Sequence, residues 1–408
     1  MQILEIPVGT ERVSPTTVLV PGPPEPSRIH ALPNRLHELD GLRGGAALTV
    51  IGYHYLAGPA VYSHTAGRIQ ELLYVFPLSV DMFFILSGFL VGGILLGTKT
   101  SPNYFKTFYM RRLYRVAPIY YLWILGFIGL VLCLPKSGND LAPKGYSSWA
   151  FLGSCLVFVQ NFPRFPLFLT KAQWFGTTWS LALEEHFYLV VPFCLYRLSR
   201  RSLIAGLSAI IVLAPLARMF AWQVLNLKNP WGITYVWTPF RADALAIGVL
   251  LAILWESPEI KVFFRKQIIW IYFCFGATAT VAIVLDYMKV KHVRYADALA
   301  VAFGRSALEA AGLSVILIAL VFQGHKNVAI MRWSWAREFG KISYCTYLTH
   351  RGILWLVLLF GFHTKAGFGF RSDVLAGIIA LILTTCLAAL SWKYLEGPLQ
   401  RRAHRFTY

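Results

Sequence analysis

The sequence predicts an all-α protein, a polytopic transmembrane helix bundle of about ten spanning helices with one short apolar segment that is non-spanning or re-entrant. Of its 408 residues, 57% are hydrophobic and 14% are charged, a balance typical of membrane-embedded proteins. Runs of about twenty apolar residues, the length that crosses the hydrocarbon core, recur along the chain. Lys and Arg gather between these runs, so membrane orientation explains the net charge of +19, and we do not expect nucleic acid binding.

Three parts are predicted along the chain. Residues 1–38 are polar and rich in proline, cannot bury enough apolar surface to fold alone, and are expected to form a mobile cytoplasmic tail. They lack the pattern of a cleavable signal peptide. Residues 39–396 are expected to form the transmembrane domain, and residues 397–408 a basic cytoplasmic C-terminal tail. No soluble catalytic domain is recognisable, so the chemistry is expected in the bundle or its loops.

The predicted spans lie at about 40–60, 72–97, 116–134, 179–198, 202–222, 239–255, 267–287, 298–323, 342–360 and 373–395. A further apolar run, residues 148–162, is short and is followed by Pro163 and Pro166. If it does not cross, the N-terminal side of the membrane carries 22 Lys and Arg residues against 11 on the other side, whereas a crossing would move later basic loops outward. The two-to-one bias therefore predicts that this run does not span and that both termini are cytoplasmic.

The cysteines suggest no special chemistry. All six lie in or beside apolar runs and are interpreted as small hydrophobic residues. No C-x-x-C pair and no histidine at zinc-binding spacing accompanies them. We therefore predict neither a metal site nor a disulfide framework.

The first long apolar run, residues 39–55, carries Arg43 near its start and His54 near its end. In a helix, a step of eleven residues turns about 1,100°, so the two side chains share a face and lie roughly 16 Å apart along the axis. A ligand that touches both must be long and thin, with an anion at one end and its reactive atom at the other. Coenzyme A, with phosphates at its head and a thioester at the end of its pantetheine arm, has that shape.

Six further blocks follow in order, at residues 80–90, 111–118, 178–188, 241–243, 342–350 and 394–398. With the Arg43 and His54 pair, they make the chain resemble the acyltransferase 3 family of integral membrane acyltransferases, whose first helix carries an arginine, ten intervening residues and a histidine. The resemblance implies transfer of an acetyl or other short acyl group from acyl-CoA to a hydroxyl. The acceptor would be a carbohydrate, a lipid-linked glycan or a secreted metabolite, and the location a bacterial inner membrane.

Ionisable residues inside apolar spans are functional candidates, because burying them in a membrane is costly. His54 is the main catalytic candidate, since a neutral imidazole can take a proton from an attacking hydroxyl and return it to a leaving thiolate. A lone histidine is more often a packed side chain that donates to a backbone carbonyl, but the resemblance favours the catalytic interpretation. Arg43 is expected to hold a phosphate of the coenzyme, with an orientation charge as the alternative.

A basic cluster follows the second span. Arg111, Arg112 and Arg115 precede Pro118, which we place near the start of the third span. These arginines are predicted to complete a cytoplasmic phosphate site, although a cluster that merely sets membrane orientation has the same pattern. The coenzyme is expected as a co-substrate, with no permanently bound cofactor.

The block at residues 178–188 places Glu184 and Tyr188 four residues apart, on one helix face. We predict that Glu184 orients His54 or an acceptor hydroxyl, and the alternative is a structural ion pair with an arginine such as Arg241. Tyr188 is a candidate lining residue.

Other polar residues in the spans are treated as lining or structural. Ser87 is expected to permit close helix packing, since no nucleophile-elbow pattern surrounds it. Asp81 is a candidate partner for a buried arginine. Arg241 and Asp243 match a family block but lie on different faces of a helix. His350 lies with Ser343 and Tyr347 on one helix face and completes a polar stripe. The residue before His350 is Thr349, where the family often has an aromatic residue.

The sequence therefore predicts a membrane O-acyltransferase whose partners are acyl-CoA, a hydroxyl-bearing glycan or glycolipid, and membrane lipids. A transporter of an acylated product is the main alternative, because charges inside a membrane also mark transport paths. A second alternative is a membrane scaffold without enzymatic activity. The broken helices typical of transporter repeats are not recognisable in the sequence.

Overall fold

The computed structural model describes residues 36–60, 77–133, 148–162, 173–224, 230–290, 296–361 and 370–408. Helices and the turns between them account for these ranges, which contain no strand, so the predicted all-α class is confirmed. Nearly all of the predicted N-terminal tail, residues 1–35, lies outside the described residues.

The helices are labelled in chain order. They are α1 (His37–Ala60), α2 (Pro77–Gly97), α3 (Tyr104–Cys133), α4 (Ser148–Leu156), α5 (Thr178–Arg197), α6 (Arg200–Gln223), α7 (Pro230–Val236), α8 (Ala242–Trp255), α9 (Pro258–Lys266), α10 (Ile268–Val290), α11 (Arg305–Val321), α12 (Ser334–Leu356), α13 (Phe370–Ser391) and α14 (Gly397–Ala403). A helical turn, Ala296–Leu299, and a π-helical turn, Ala300–Gly304, lead into α11. A second π-helical turn, Trp392–Glu396, joins α13 to α14.

Six helical segments in the described ranges are long and apolar enough to cross a membrane: Leu78–Gly97, Tyr104–Leu130, Arg200–Gln223, Ile268–Met288, Asp297–Val321 and Val374–Ala403. The predicted number of about ten is therefore not confirmed. The other predicted spans coincide with α1, α5, α8 and α12. Helix α8 has only 14 residues, and the remaining three carry several charged side chains. Length and hydropathy therefore make the chain an integral membrane protein without fixing its full number of crossings.

Helix α4 corresponds to the short apolar run that we predict not to span. Its nine residues extend about 14 Å, less than half of a hydrocarbon core about 30 Å thick. A turn follows, in which Phe158 adopts a φ of 58°.

One predicted boundary is wrong. Pro118 lies inside α3, which begins at Tyr104, well before the predicted span. The earlier start has a packing reason, because Tyr104 and Phe108 are buried in an apolar cluster with residues of α2, α5, α6 and α8. The basic cluster Arg111, Arg112 and Arg115 therefore lies on the helix itself.

The predicted C-terminal tail is docked on α3. Residues 397–403 form α14, and the chain beyond it returns along α3. The Thr107 hydroxyl donates to the Thr407 carbonyl at 2.8 Å. The Arg111 guanidinium donates twice to the Phe406 carbonyl, at 3.0 and 2.8 Å.

Helix α1 packs against α12 at very short range. At Gly44 a β-carbon would lie 2.1 Å from the carbonyl oxygen of Ala336, and at Gly340 it would lie 2.3 Å from that of Asp40. Only glycine permits this approach, which is the way small residues bring membrane helices together. The contact sets the distance between side chains farther along the two helices, including those of the site.

Candidate active site

Two neighbouring cavities contain the main candidate residues. The larger cavity has a volume of about 480 Å³ and is lined by His54. The smaller has a volume of about 80 Å³ and is lined by Arg43, Arg112 and Arg115. The structure thus brings three of the four predicted anchoring arginines together and places the predicted base in the adjoining space.

His54 has a histidine partner from α12. Nδ1 of His54 lies 2.9 Å from Nε2 of His350. The other ring nitrogen of His350, Nδ1, lies 2.7 Å from the Tyr347 carbonyl oxygen and 3.2 Å from that of Thr346. A carbonyl oxygen only accepts hydrogen bonds, so Nδ1 of His350 carries a proton and Nε2 of the neutral ring is an acceptor. Nδ1 of His54 must then be the donor, which leaves a lone pair on its Nε2.

The backbone of His350 is held by helices on either side. The Tyr55 hydroxyl, next to His54 in sequence, donates to the His350 carbonyl at 3.0 Å. The hydroxyl oxygen of Tyr55 also lies 2.9 Å from the Thr384 hydroxyl of α13. Thr384 must be the donor in this bond, because the tyrosine proton is already used. Both Tyr55 and Thr384 are buried. These bonds fix α12 relative to α1 and α13, and with it the orientation of the two imidazoles.

The smaller cavity combines cations with one carboxylate. Ser87 donates to Oε1 of Glu184 at 2.9 Å, and the Tyr188 hydroxyl donates to Oε2 at 3.1 Å. The guanidinium carbon of Arg112 lies 4.4 Å from the centre of the Tyr188 ring. Among the lining residues, three arginines therefore face one glutamate whose oxygens already accept hydrogen bonds, so the charge of the lining favours an anion.

Two predicted residues have other partners than we expect. The side chain that hydrogen-bonds His54 is His350, in addition to a hydrogen bond between the ring and the Val50 backbone, while Glu184 bonds Ser87 and Tyr188 beside the arginines. Arg111 lines neither cavity, because its guanidinium holds the C-terminal segment.

A buried ionic cluster lies beside the larger cavity. Arg241 pairs with Asp81, and its Nη1 lies 3.7 Å from Oε1 of Glu309. Asp81 also accepts from Arg305 at 3.3 Å. Asp243 pairs with Arg218 at 2.7 Å. Arg241 and both aspartates are fully buried, and none of the three lines either cavity. Because a buried charge needs a partner, their geometry is that of a structural network.

Several residues that line the cavities are not among those predicted from the sequence. Arg218 interrupts the apolar run of α6, so the high cost of burying a charge in a membrane also marks it as a functional candidate. Arg351 follows His350 and lines the larger cavity, where it donates to the Gly176 carbonyl at 3.3 Å. Neither Thr177 nor Ser180 is distinguished by residue type or spacing, although Ser180 lies in the block at residues 178–188, because their contacts with α12 arise only from the fold.

The arrangement can support acid–base chemistry next to an anion site. The His54 imidazole is oriented by that of His350 and has a lone pair on Nε2, and His54 lines the larger cavity. Three guanidinium groups line the adjoining smaller cavity. No cluster of metal ligands occurs among the residues that the structure describes.

Comparisons with known proteins identify the family. Residues 36–393 match the acyltransferase 3 family model, described as an acyltransferase domain. The chain is 26% identical over 389 residues to the O-acetyltransferase OatA of Staphylococcus aureus strain NCTC 8325 / PS 47, and to the protein of the same name from strain COL. Each alignment covers 91% of this chain and 58% of the relative, so the chain spans less than two thirds of these proteins. No solved structure matches the chain.

The family match covers most of the chain and confirms the resemblance inferred from the seven sequence blocks. Five of the seven blocks, those at residues 39–55, 80–90, 111–118, 178–188 and 342–350, contain residues that line one of the two cavities, so most of the resemblance coincides with the candidate site. The protein belongs to the acyltransferase 3 family of membrane acyltransferases.

Proposed function

We propose that the protein is an acyl-CoA-dependent O-acyltransferase that moves an acetyl or other short acyl group to a hydroxyl. The observation that carries this proposal is the position of His54, which is oriented by His350 and lines a cavity that adjoins the arginine-lined one. The two relatives named above are O-acetyltransferases, which favours acetyl as the group and oxygen as the acceptor atom.

The coenzyme is proposed to bind with its phosphates at Arg43, Arg112 and Arg115. Guanidinium groups bind phosphates through paired, charge-assisted hydrogen bonds, and three of them line the same small cavity. From there the pantetheine arm extends along α1 towards His54, which lies roughly 16 Å from Arg43 along the helix axis. The arrangement suits a donor that carries its charge and its reactive bond at opposite ends.

In the proposed reaction the acceptor hydroxyl attacks the thioester carbon. Nε2 of His54 takes the hydroxyl proton, a C–O bond forms, the C–S bond breaks, and the proton passes to the thiolate. The products are the ester and the free thiol of CoA. His350 holds the His54 ring through Nδ1 and stabilises the positive charge that develops on it. In a second route, Nε2 attacks the thioester first and the C–S bond breaks with release of the thiolate; the acceptor hydroxyl then attacks the acyl group on Nε2, the C–N bond breaks, and the hydroxyl proton passes to the thiolate.

The acceptor is proposed to be a carbohydrate, a lipid-linked glycan or a secreted metabolite, bound in the larger cavity. Aromatic side chains of Tyr53, Trp179 and Tyr235 line this space beside polar groups. Flat aromatic faces together with hydrogen-bonding groups suit a sugar ring. The bias of Lys and Arg favours an orientation with both termini in the cytoplasm, and the relatives from Staphylococcus aureus favour a bacterial plasma membrane. The donor then arrives from the cytoplasm and the acceptor from the opposite side.

The proposal is tested by thiol release from acetyl-CoA. Purified protein in lipid nanodiscs is mixed with acetyl-CoA, and free thiol is measured while aqueous and organic extracts of bacterial cells are added as sources of acceptor. We expect release that depends on an extract and falls at least 100-fold in His54→Ala, the lower range of a general-base contribution. Equal expression and thermal unfolding of the variant provide the folding control.

Two results contradict the proposal. Undiminished release in His54→Ala removes this histidine from the mechanism. The absence of both thiol release and acetyl-CoA binding in the wild-type protein, with every extract, excludes an acetyl-CoA-dependent transferase and favours transport.

A further inference from the structure

The two cavities meet at a partition of three residues. Val80, Thr177 and Tyr347 are the residues that line both the larger and the smaller cavity. Arg43, Arg112 and Arg115 line the cavity on one side of this partition, and His54 lines the cavity on the other side. If the proposed function is correct, the thioester must cross the partition before it reaches the base.

A short chain of hydrogen bonds closes the partition. The Ser180 hydroxyl donates to the Thr177 carbonyl at 2.9 Å, which uses its only proton. The Tyr347 hydroxyl lies 2.7 Å from the same serine oxygen and must therefore be the donor in that bond. Thr177 in turn donates to the Leu348 carbonyl at 3.4 Å. The start of α5 is thus joined to α12 at the boundary between the cavities.

Tyr347 also contacts His350, the hydrogen-bond partner of His54. Its carbonyl accepts the 2.7 Å hydrogen bond from Nδ1 of His350, and the centres of the two rings lie 5.9 Å apart. On the other side its ring contacts Phe83 of α2, with a centre-to-centre distance of 6.0 Å. The tyrosine ring therefore contacts the rings of His350 and Phe83, lines both cavities, and is held at its hydroxyl end by Ser180.

We propose that Tyr347 is the residue that separates the donor from the base until an acceptor is bound, and that it thereby favours transfer over hydrolysis. The inference rests on the proposed function. In the closed arrangement the Tyr347 ring blocks the path from the arginines to His54. Breaking the bond to Ser180 lets the ring swing aside and admits the pantetheine arm.

The reaction that the partition suppresses is hydrolysis of the donor. When water in the larger cavity replaces the acceptor, its oxygen bonds to the acyl carbon and the C–S bond breaks. His54 takes a proton from water and passes it to the thiolate. The products are the carboxylic acid and CoA thiol. A closed partition keeps the thioester away from this water while the larger cavity holds no acceptor.

The hydroxyl contact can be removed from either side. Tyr347→Phe keeps the ring and leaves the Ser180 proton on its carbonyl acceptor, so the substitution orphans no buried donor. Ser180→Ala removes the same contact from the other partner, and it also removes the bond from Ser180 to the Thr177 carbonyl and the acceptor of the Tyr347 hydroxyl. Loss of one buried hydrogen bond, about 1 kcal/mol net, makes opening about fivefold more favourable. We expect acceptor-independent thiol release from acetyl-CoA to rise about fivefold in each variant.

The matched control is Tyr104→Phe. Tyr104 is also buried and donates its hydroxyl to a carbonyl, that of Pro192 at 3.2 Å, but it lines neither cavity. We expect its acceptor-independent release to equal that of the wild type. The double variant of Tyr347 and Ser180 should release thiol at the rate of Tyr347→Phe alone, because the contact between the two hydroxyls is already absent in Tyr347→Phe and the second substitution removes only the local bond from Ser180 to the Thr177 carbonyl.

The outcomes separate this inference from the proposed function. If the wild type never releases thiol in response to any acceptor extract, the proposed function itself fails. If the wild type is active but Tyr347→Phe and Ser180→Ala release no more thiol than Tyr104→Phe, the partition has no such role. Effects that multiply in the double variant also overturn the inference. Simple damage to the fold lowers release, so it cannot produce the expected gain.

Discussion

The close contact of α1 with α12 makes a quantitative prediction for Gly44→Ala. The new β-carbon would lie 2.1 Å from the Ala336 carbonyl oxygen, whereas ordinary contact begins at 3.4 Å, so the helices must separate by about 1.3 Å. His54 lies ten residues farther along α1, about 15 Å from the substitution. A rigid separation would lengthen its 2.9 Å bond to His350 to about 4.2 Å, beyond hydrogen-bonding distance.

We therefore expect Gly44→Ala to lower the kcat/KM for acyl transfer about 100-fold, the loss that a misplacement of 1 Å can cause in a catalytic group. Overpacking should also lower the free energy of unfolding by about 1–3 kcal/mol. Thiol release in nanodiscs measures the first effect, and thermal unfolding measures the second. The reciprocal variant Gly340→Ala should behave in the same way, since its β-carbon would lie 2.3 Å from the Asp40 carbonyl oxygen.

Gly45→Ala is the matched control, because a β-carbon at this neighbouring position meets no atom within 4 Å. It makes the same chemical change one residue along the same helix, so we expect nearly wild-type activity and stability. If Gly44→Ala is as active as Gly45→Ala, the contact between α1 and α12 does not position the histidine pair, and the reasoning fails.

Three further predictions follow from the contacts of the site. His350→Ala should lower kcat at least tenfold with little change in the KM for acetyl-CoA, because it removes the acceptor that orients His54; a change confined to KM would contradict a positioning role. Arg43→Ala should raise the KM for acetyl-CoA about tenfold or more, the value of a charged hydrogen bond, and an unchanged KM would remove it from the phosphate site. Asp81→Asn should lower the free energy of unfolding by about 3–5 kcal/mol, since it breaks a buried ion pair. The control, Lys341→Ala, breaks a solvent-accessible pair and should lower it by less than about 1 kcal/mol. Equal melting temperatures for the two variants would show that the buried network adds no stability.

The helical character of the chain was predictable because hydropathy is a local property. Runs of apolar residues identify α2, α6 and α10 directly, and all three are long enough to span. The start of α3 was not predictable from hydropathy, since its first turns carry the basic cluster. Those turns are helical because Tyr104 and Phe108 pack into an apolar cluster built by other helices. That tertiary contact outweighs the local polarity.

Within the site, short-range relations were predicted better than long-range ones. Glu184 and Tyr188 share a helix face and do form a hydrogen bond, because residues four apart are neighbours in any α-helix. The sequence predicts that Glu184 orients His54 or an acceptor hydroxyl. In the structure the partner of His54 is His350 of α12, which lies 296 positions away in the chain. The helical period gives no information about which helices pack together.

The sequence by itself determined that the protein is a helical membrane protein of the acyltransferase 3 family. It also determined that Arg43 and His54 share one face of the first helix, and that arginines gather after the second predicted span. These properties depend on composition, on the period of one helix and on the order of short motifs, all of which are local. The tertiary structure alone decided that His350 orients His54, that Arg111 holds the C-terminal segment, and that Tyr347 stands between the two cavities. Each of these depends on the distance between helices far apart in the chain, which close packing and glycine contacts fix to within fractions of an ångström.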